Sequence, residues 1–149
     1  MQPSSRGIAL IQKYEGFSRF PYICPAGWLT IGYGHVILQQ EKNIYDKGIS
    51  KQQAELLLQG DILKACGSVD RLVKVPITQG MFDALVSFVF NLGGGRLQAS
   101  TLRQKLNRRD YEGAAAEFHK WIYGGGRKLP GLIARRADEA ALFLSEPII

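Results

Sequence analysis

Apolar residues recur every three or four positions along most of the chain, which is the spacing of a helix with one buried face. The clearest example is "SKQQAELLLQGDILKAC", residues 50–66, which opens with Ser50 and Gln53 in a capping-box arrangement. Its apolar positions keep helical spacing throughout: Ala54, Leu57, Leu58, Ile62 and Ala65. The pattern predicts one long helix that connects two parts of the chain.

Further helices are predicted after residues that commonly cap a helix N-terminus. The first covers about residues 5–14 and stops at Gly16. The segment "QGMFDALVSFVFN" is apolar on nearly all sides, which predicts a buried central helix. The last helix covers about residues 132–144, after a loop, "GGGRKLPG". The capping residues are Ser4 or Ser5, Thr78, Ser100 and Asp110.

Residues 17–37 follow a different pattern. Pro21, Pro25 and Gly27 indicate turns, and "WLTIGYGHVI" is rich in β-branched and aromatic residues with glycine breaks. These features predict a small sheet of two or three strands. The whole chain is therefore predicted to be a helical protein with one early β-region.

Composition limits the class of protein. A chain of 149 residues that is 46% hydrophobic is expected to form one domain with a substantial core. A net charge of +6 and a pI near 9.5 favour an anionic partner such as nucleic acid, a membrane or an envelope polymer. Because the charges are spread along the chain, solubility alone explains them equally well.

Two cysteines and two histidines form no standard metal-site spacing, so neither a metal nor another cofactor is predicted. We expect Cys24 and Cys66 to be reduced thiols, as in a protein made in the cytosol. The N-terminal apolar run, Ile8 to Ile11, is too short for a secretion signal, and no segment is long enough to span a membrane.

Glu15 is the first candidate for chemistry. It lies at the predicted end of the first helix, where the helix dipole disfavours a carboxylate and should raise the pKa towards that of a general acid. On position alone, a solvated glutamate is the simpler interpretation. The spacing changes this, because eight residues separate Glu15 from Cys24 and five separate Cys24 from Thr30, followed by the segment "TIGYGH".

These residues resemble the catalytic signature of the phage-type lysozymes, glycoside hydrolase family 24. "FVFNLGGGRLQASTLRQKLNRRDYEGAAAEFHKW" and "KLPGLIARRADEAALFL" resemble the helical part of the same family, so the resemblance covers about Ser4 to Ser145. It implies one lysozyme-like domain of the α+β class, predominantly α. A small lobe at about 14–49 would hold a short antiparallel sheet, 50–66 would connect the lobes, and 67–149 with the N-terminal helix would form a larger helical lobe.

The resemblance implies an endolysin that hydrolyses the β-1,4 bond between N-acetylmuramic acid and N-acetylglucosamine in peptidoglycan. Glu15 would protonate the leaving oxygen, and Cys24 with Thr30 would hold the attacking water. A thiol thereby replaces the second carboxylate of most glycosidases, a variant that the family pattern includes. Whether Cys24 orients water, acts as a thiolate base or attacks the sugar stays open from the sequence, and we favour water positioning with inversion.

Further positions carry over from the same resemblance. His35 and Asp61 are expected to form an ion pair that joins the lobes, not a catalytic dyad. Arg135 and Arg136 are considered from their own position in the first turns of the last helix, and not from the resemblance. They are expected on a solvated basic face, with a contact to Glu15 or to substrate carboxylates as the alternative. Substrate contacts are expected at the remaining matched positions: Val36, Phe90, Asn91, Thr101 and Glu117.

The implied setting is the cytoplasm of a bacterial host before lysis, with action on the cell wall once the membrane is permeabilised. A holin would be needed for access without direct contact. Anionic envelope polymers are possible partners, nucleic acid is not expected, and a monomer is the default.

Two other classes of protein compete with this interpretation. A cysteine peptidase or amidase of cell-wall peptides would pair Cys24 with His35 or His119. A nucleic-acid-binding module would use the basic segments "RQKLNRRDYEG" and "GLIARRADEAA", although acidic residues interleave in both and no recognised motif is present.

Overall fold

The computed structural model describes residues 1–148, which divide into two compact units. Gln12–Leu63 form one unit, here called the sheet unit. Met1–Ile11 and the chain from Lys64 onward form the other, here called the helical unit. Seven α-helices and five short strands are present in the described residues.

The sheet unit contains a three-stranded antiparallel sheet of β1 (Ser18–Ile23), β2 (Leu29–Gly32) and β3 (His35–Val36), in that order. Helix α1 (Ser5–Glu15) ends just before β1. After a short 3-10 helix, Gln39–Glu41, the unit continues into the first part of α2 (Lys51–Leu72). Apolar side chains of the sheet and of α2 form its core: Ile31, Tyr33, Ile49, Ala54, Leu58 and Ile62.

Tight turns place the strands of this sheet. Gly27 has φ +89° in the loop between β1 and β2, and Gly32 and Gly34 have φ +67° and +76° around the turn into β3. A positive φ is costly for any residue with a Cβ atom, so these turns explain the glycine breaks in the sequence. Opposite Thr30 in β2 lie Tyr22 of β1 on one side and Val36 of β3 on the other.

The helical unit is built around α3 (Gln79–Leu92), which is buried from Gly80 to Val89. Helix α3 packs on α7 (Pro130–Phe143), and α6 (Tyr111–Phe118) packs on both α7 and α5 (Thr101–Asn107). The Phe88 and Phe118 rings meet edge to face with centroids 5.6 Å apart. A helix apolar all round must be buried on all sides, as the sequence predicted.

The predicted caps at Thr78, Ser100 and Asp110 are confirmed. The Thr78 Oγ1 accepts from the Met81 N–H at 3.1 Å and the Ser100 Oγ accepts from the Arg103 N–H at 3.0 Å. The Asp110 Oδ1 accepts from the Gly113 N–H at 3.0 Å. Side-chain acceptors satisfy N–H groups that a helix start leaves without partners, so these residues predict helix starts reliably.

Other boundaries differ from the prediction. The long helix was predicted to end near residue 66 but continues to Leu72, because Val69 and Leu72 are buried and Gly67 is tolerated inside it. Helix α4 (Gly94–Ala99) was not predicted, since its glycine-rich start resembles a loop. The segment "GGGRKLPG" contributes to a hairpin of β4 (Tyr123–Gly124) and β5 (Arg127–Lys128). The two-residue turn between these strands is formed by glycines of positive φ.

Within residues 1–148, no helix has the length and hydropathy needed to cross a membrane.

Candidate active site

Glu15 is the last residue of α1 and is half-buried. Gly16 follows with φ +65°, and its N–H donates to the Gln12 carbonyl at 3.0 Å, which closes the helix. The turn between β2 and β3 lies against the Glu15 carboxyl group. A Cβ added at Gly34 would lie 3.0 Å from the Glu15 Cδ and closer still to Oε1. The close approach of these backbone and side-chain atoms fixes one side of the carboxyl group.

Cys24 starts the loop between β1 and β2. The Cys24 N–H donates to the Trp28 carbonyl at 2.9 Å, and the Gly27 N–H donates to the Cys24 carbonyl at 2.8 Å. Partial burial by itself raises the pKa of the Cys24 thiol, but hydrogen bonds from the Trp28 backbone, the Thr30 side chain and the backbone of Ala26 and Gly27 favour the thiolate. The net pKa of Cys24 is lower than its ordinary value, so the loop favours a reactive sulfur.

Thr30 lies in the central strand with only 2% of its surface exposed. Its hydroxyl donates to the Trp28 carbonyl at 2.9 Å and also contacts the Cys24 thiol. A hydroxyl has one proton to donate. The Thr30 hydroxyl donates it to the Trp28 carbonyl when Cys24 is a neutral thiol, and it can rotate to donate it to the sulfur when Cys24 is a thiolate. The hydrogen-bond partner of the Thr30 hydroxyl therefore depends on the protonation state of the Cys24 thiol.

Tyr22 is a member of this group that the sequence reasoning missed. It lies opposite Thr30, and burial raises its pKa, with further upward contributions from the charges of Glu15 and Cys24. The end of α1, the loop and the sheet thus bring Glu15, Cys24 and Thr30 around one tyrosine. Strand alternation could have suggested Tyr22, but the register is irregular between Ser18 and Tyr22, which hides which face it occupies.

His35 and Asp61 are in contact within the sheet unit. The His35 Nδ1 lies 2.8 Å from the Asp61 Oδ2, and the His35 Nε2 lies 3.2 Å from both carboxylate oxygens of Glu41. Glu41 also accepts from the Leu38 N–H and from the Tyr45 hydroxyl, each at 3.0 Å. The sequence reasoning did not identify Glu41, which gives the histidine a carboxylate on each ring nitrogen.

The pKa values of His35 and Glu41 are shifted in opposite directions. The hydrogen bond to Asp61 raises the pKa of His35 above its usual value, against the lowering effect of burial, and Glu41 adds to the rise. Burial raises the pKa of Glu41, but its hydrogen bonds with Leu38, Tyr45 and His35 outweigh burial and leave the pKa lowered. Both shifts favour the charged forms of His35 and Glu41.

The other predicted substrate-contact residues occupy different settings. Val36 lies in the sheet unit, 39% exposed, and Thr101 is exposed at the start of α5 in the helical unit. Phe90 is half-buried near the end of α3, next to Asn91, whose Oδ1 accepts from the Arg136 Nη2 at 2.7 Å. Glu117 is only 4% exposed, so its carboxylate is shielded from solvent.

Glu117 is held by two lysines. Its Oε2 lies 2.5 Å from the Lys120 Nζ and 3.5 Å from the Lys105 Nζ. The hydrogen bond with Lys120 is the main cause that lowers the pKa of Glu117, with Lys105 contributing, against the effect of burial. The carboxylate is therefore charged and paired in this structure.

The expectation that Arg135 and Arg136 form a solvated basic face is wrong. Arg135 is 3% exposed and Arg136 is fully buried. Both contact Glu139 on the same helix, with the Arg136 Nε 2.8 Å from Oε1 and the Arg135 Nε 3.4 Å from Oε2. Attraction within such pairs offsets the free-energy cost of removing the charges from water only when further hydrogen bonds are made. Here the Ser87 carbonyl accepts one from Arg135, and the Asn91 side chain accepts one from Arg136.

Residues 12–139 match the family described as Phage lysozyme. An endolysin of Acyrthosiphon pisum secondary endosymbiont phage 1 is 45% identical over 97% of this chain and 99% of its own length. An endolysin of Salmonella phage P22 is 36% identical over the same shares of the two chains.

Solved structures are similar over nearly the whole chain. The muramidase domain of SpmX from Asticaccaulis excentricus superimposes with a TM-score of 0.85 at 35% identity, covering 96% of this chain and 97% of that one. An endolysin from Escherichia coli O157:H7 phage FAHEc1 gives a TM-score of 0.84 at 36% identity, covering 97% and 94%. These similarities confirm the predicted lysozyme-like fold, which is predominantly helical with a short antiparallel sheet.

Proposed function

The chain belongs to the phage lysozyme family of glycoside hydrolases, and from that premise we propose that it is an endolysin cleaving the β-1,4 bond between N-acetylmuramic acid and N-acetylglucosamine in peptidoglycan. Glu15, Cys24 and Thr30 carry the reaction. The observation that supports this assignment is the arrangement in the sheet unit, where Cys24 and Thr30 are hydrogen-bonded and Tyr22 interacts with both Glu15 and Cys24.

Glu15 acts as the general acid. Its carboxylic acid protonates the glycosidic oxygen as the bond to the anomeric carbon breaks, and positive charge develops on the sugar ring. The turn at Gly34 limits the positions open to the carboxyl group, because its backbone lies against Glu15. Because the acid is held in one position, its proton can be transferred to the glycosidic oxygen while the bond breaks.

Cys24 and Thr30 position the water that attacks the anomeric carbon. The sulfur and the hydroxyl can each accept a hydrogen bond from that water, and the lowered pKa of Cys24 lets the sulfur accept its proton. The buried hydroxyl of Thr30 donates its proton to the Trp28 carbonyl or to the Cys24 sulfur, and in either case its oxygen lone pairs remain to accept a hydrogen bond from the water. Attack from the face opposite the leaving group inverts the anomeric configuration, so the first product of the β-linked substrate is the α-anomer.

Sugar contacts are proposed for Val36, Phe90, Asn91 and Thr101. Val36 offers an exposed apolar surface beside Thr30, and Thr101 offers an exposed hydroxyl. Glu117 would reach a sugar through Lys105 or Lys120, because its carboxylate already holds both lysines.

The setting of the reaction follows from the family. The protein acts on the cell wall, and we propose that it resides in the host cytoplasm until a holin opens the membrane, as a monomer. The net charge of +6 supports approach to anionic envelope polymers.

A cysteine peptidase is disfavoured by the surroundings of His35. Both ring nitrogens of His35 contact carboxylates, Nδ1 that of Asp61 and Nε2 that of Glu41, so this histidine is engaged away from Cys24. A nucleophilic cysteine needs a histidine within hydrogen-bond reach.

Product analysis separates the two reactions. Purified peptidoglycan treated with the protein should release reducing ends terminating in muramic acid, with no increase in free amino groups. New amino groups without reducing ends would identify a peptidase. The Cys24→Asp variant adds a second criterion: it should keep substantial glycosidase activity, since a carboxylate can also hold the water, whereas a peptidase nucleophile could not be replaced in this way.

A further inference from the structure

A cavity of about 440 Å³ lies in the sheet unit, where the start of β1 meets the start of α2. None of Glu15, Cys24 or Thr30 lines it. Phe17 and Arg19 line it from the β1 side. The segment that enters α2 supplies the other side chains: Ile49, Ser50, Lys51 and Gln53. A cavity of this volume is large enough for a small ligand.

Close backbone packing builds this cavity. The Ile49 N–H donates to the Arg19 carbonyl at 3.0 Å, in the part of β1 where its register with β2 is irregular. Gly48 has φ +86°, and a Cβ there would lie 2.9 Å from the Phe20 Cε1 and 3.1 Å from the Arg19 oxygen. A side chain at Gly48 would be strained at this φ and would crowd the Phe20 ring and the Arg19 carbonyl, so glycine favours the close approach of this segment to β1.

The cavity carries positive charge. Its lining includes the cations Arg19 and Lys51 and no carboxylate. Neither cation forms a salt bridge with another of the residues 1–148. The Arg19 Cζ lies 5.5 Å from the centroid of the Phe20 ring, a cation–π contact that restrains the guanidinium group. The two positive side chains therefore stand beside one cavity with no anion to balance them.

Part of the cavity wall is apolar. Phe17 is 42% exposed, with its ring tilted on Tyr33 at 5.6 Å, and Ile49 is buried. The first turn of α2 adds a partial positive charge. Its capping box already uses the Ser50 N–H and the Gln53 N–H, so the two cationic side chains remain the principal groups for an anion. A carboxylate attached to a small aliphatic group matches cations beside an apolar wall better than a bare phosphate does.

We propose that this cavity binds a free carboxylate of the short peptides that branch from muramic acid in peptidoglycan. The inference rests on the proposed function, because it assigns a second contact with the same substrate. The planar guanidinium of Arg19 matches the two oxygens of a carboxylate, and Lys51 adds a point charge. An alanyl methyl group next to that carboxylate would pack on Phe17 and Ile49. The cavity would thus make the enzyme prefer strands that carry peptides.

The test compares two substrates. Purified peptidoglycan is assayed with its peptides intact and after an amidase has removed them, and the release of reducing ends is measured. The double variant Arg19→Gln/Lys51→Gln should lower kcat/KM on peptide-bearing strands by about tenfold or more, the size expected for losing at least one charge-assisted hydrogen bond. It should leave release from peptide-free strands unchanged.

The matched control is Lys42→Gln/Lys47→Gln, which removes the same charge from exposed lysines of the same unit that do not line the cavity. It should behave as wild type on both substrates. All four substituted residues are exposed, so melting temperatures should agree, and they verify folding. Direct binding of acetyl-lysyl-D-alanyl-D-alanine and of its C-terminal amide gives a second measurement, with binding expected only for the free acid.

Each other outcome has a distinct meaning. If wild type releases no reducing ends from either substrate, the proposed function fails. If wild type is active and the double variant loses no more than the control, or loses equally on both substrates, the cavity assignment is overturned. If the acid and the amide bind alike while a phosphate polymer such as teichoic acid competes, the ligand is a phosphate and the carboxylate assignment is wrong.

Discussion

At the scale of single residues, the proposed chemistry depends on the surroundings of one thiol, that of Cys24. The spacing of Glu15, Cys24 and Thr30 singles out these side chains as candidates, but it does not indicate what surrounds the sulfur. The loop turns the N–H groups of Ala26, Gly27 and Trp28 towards Cys24, and these lower its pKa. Backbone donors carry little sequence signal of their own, because every residue except proline supplies an N–H. That part of the site could be found only from coordinates.

Alkylation of Cys24 tests this arrangement. Iodoacetamide should inactivate the enzyme, with a rate that rises with pH around a midpoint below the ordinary thiol pKa of 9.0. Cys66 is an internal control, because it is 4% exposed and burial raises its pKa, so peptide mapping should show it modified far more slowly. The Thr30→Val variant should move the midpoint for Cys24 upward. A midpoint unchanged by Thr30→Val would show that the Thr30 hydroxyl does not donate a hydrogen bond to the Cys24 sulfur.

At the scale of elements, the sequence predicts the residues at which several helices begin, but not where the long helix α2 ends. Thr78, Ser100 and Asp110 mark helix starts because one side-chain oxygen satisfies a local N–H group. The end of α2 at Leu72 depends on burial of Val69 and Leu72, which is set by tertiary contacts. Likewise, Arg135 and Arg136 look like surface residues in sequence, and only the presence of Glu139 and Ser87 around them explains their burial.

The turn between β2 and β3 gives a prediction at this scale. Gly34→Ala places a methyl group against the Glu15 carboxyl and should lower kcat about tenfold or more, the cost of displacing a catalytic group by a fraction of an ångström. Gly125→Ala is the matched control, since its φ is +58° and a Cβ there meets nothing within 4 Å. Both variants carry a similar backbone penalty of about 1–2 kcal/mol. Equal activity of the two variants, measured by reducing-end release, would mean that the turn does not position Glu15.

At the scale of the whole molecule, the His35 cluster links stability to pH. The pKa of His35 is raised on folding, so its contribution is complete below its ordinary value of 6.5 and is lost as pH rises through the folded-state pKa. The pKa of Glu41 is lowered, so its contribution is complete above its ordinary value of 4.5 and is lost as pH falls through the folded-state pKa. The two contributions therefore coexist between pH 4.5 and 6.5.

The His35→Asn variant should show this dependence. At pH 6 it should lower the free energy of unfolding by about 1–3 kcal/mol, because a charged hydrogen-bonded group is lost. The deficit should shrink as pH rises above the folded-state pKa of His35. His119→Asn, which removes the exposed histidine, should change little at any pH. Urea titrations at several pH values measure the difference. A deficit independent of pH would contradict the pairing of His35 with Asp61 and Glu41.

The central claim is that Glu15 donates the proton that breaks the glycosidic bond. The most direct measurement is the initial rate of reducing-end release from purified peptidoglycan by wild type, Glu15→Gln and the control Glu55→Gln, an exposed glutamate of α2. We expect Glu15→Gln to lose about 10²–10⁴-fold in rate, the usual contribution of a general acid, while it melts near the wild-type temperature and Glu55→Gln keeps full activity. A folded Glu15→Gln protein that releases reducing ends at the wild-type rate would contradict the account.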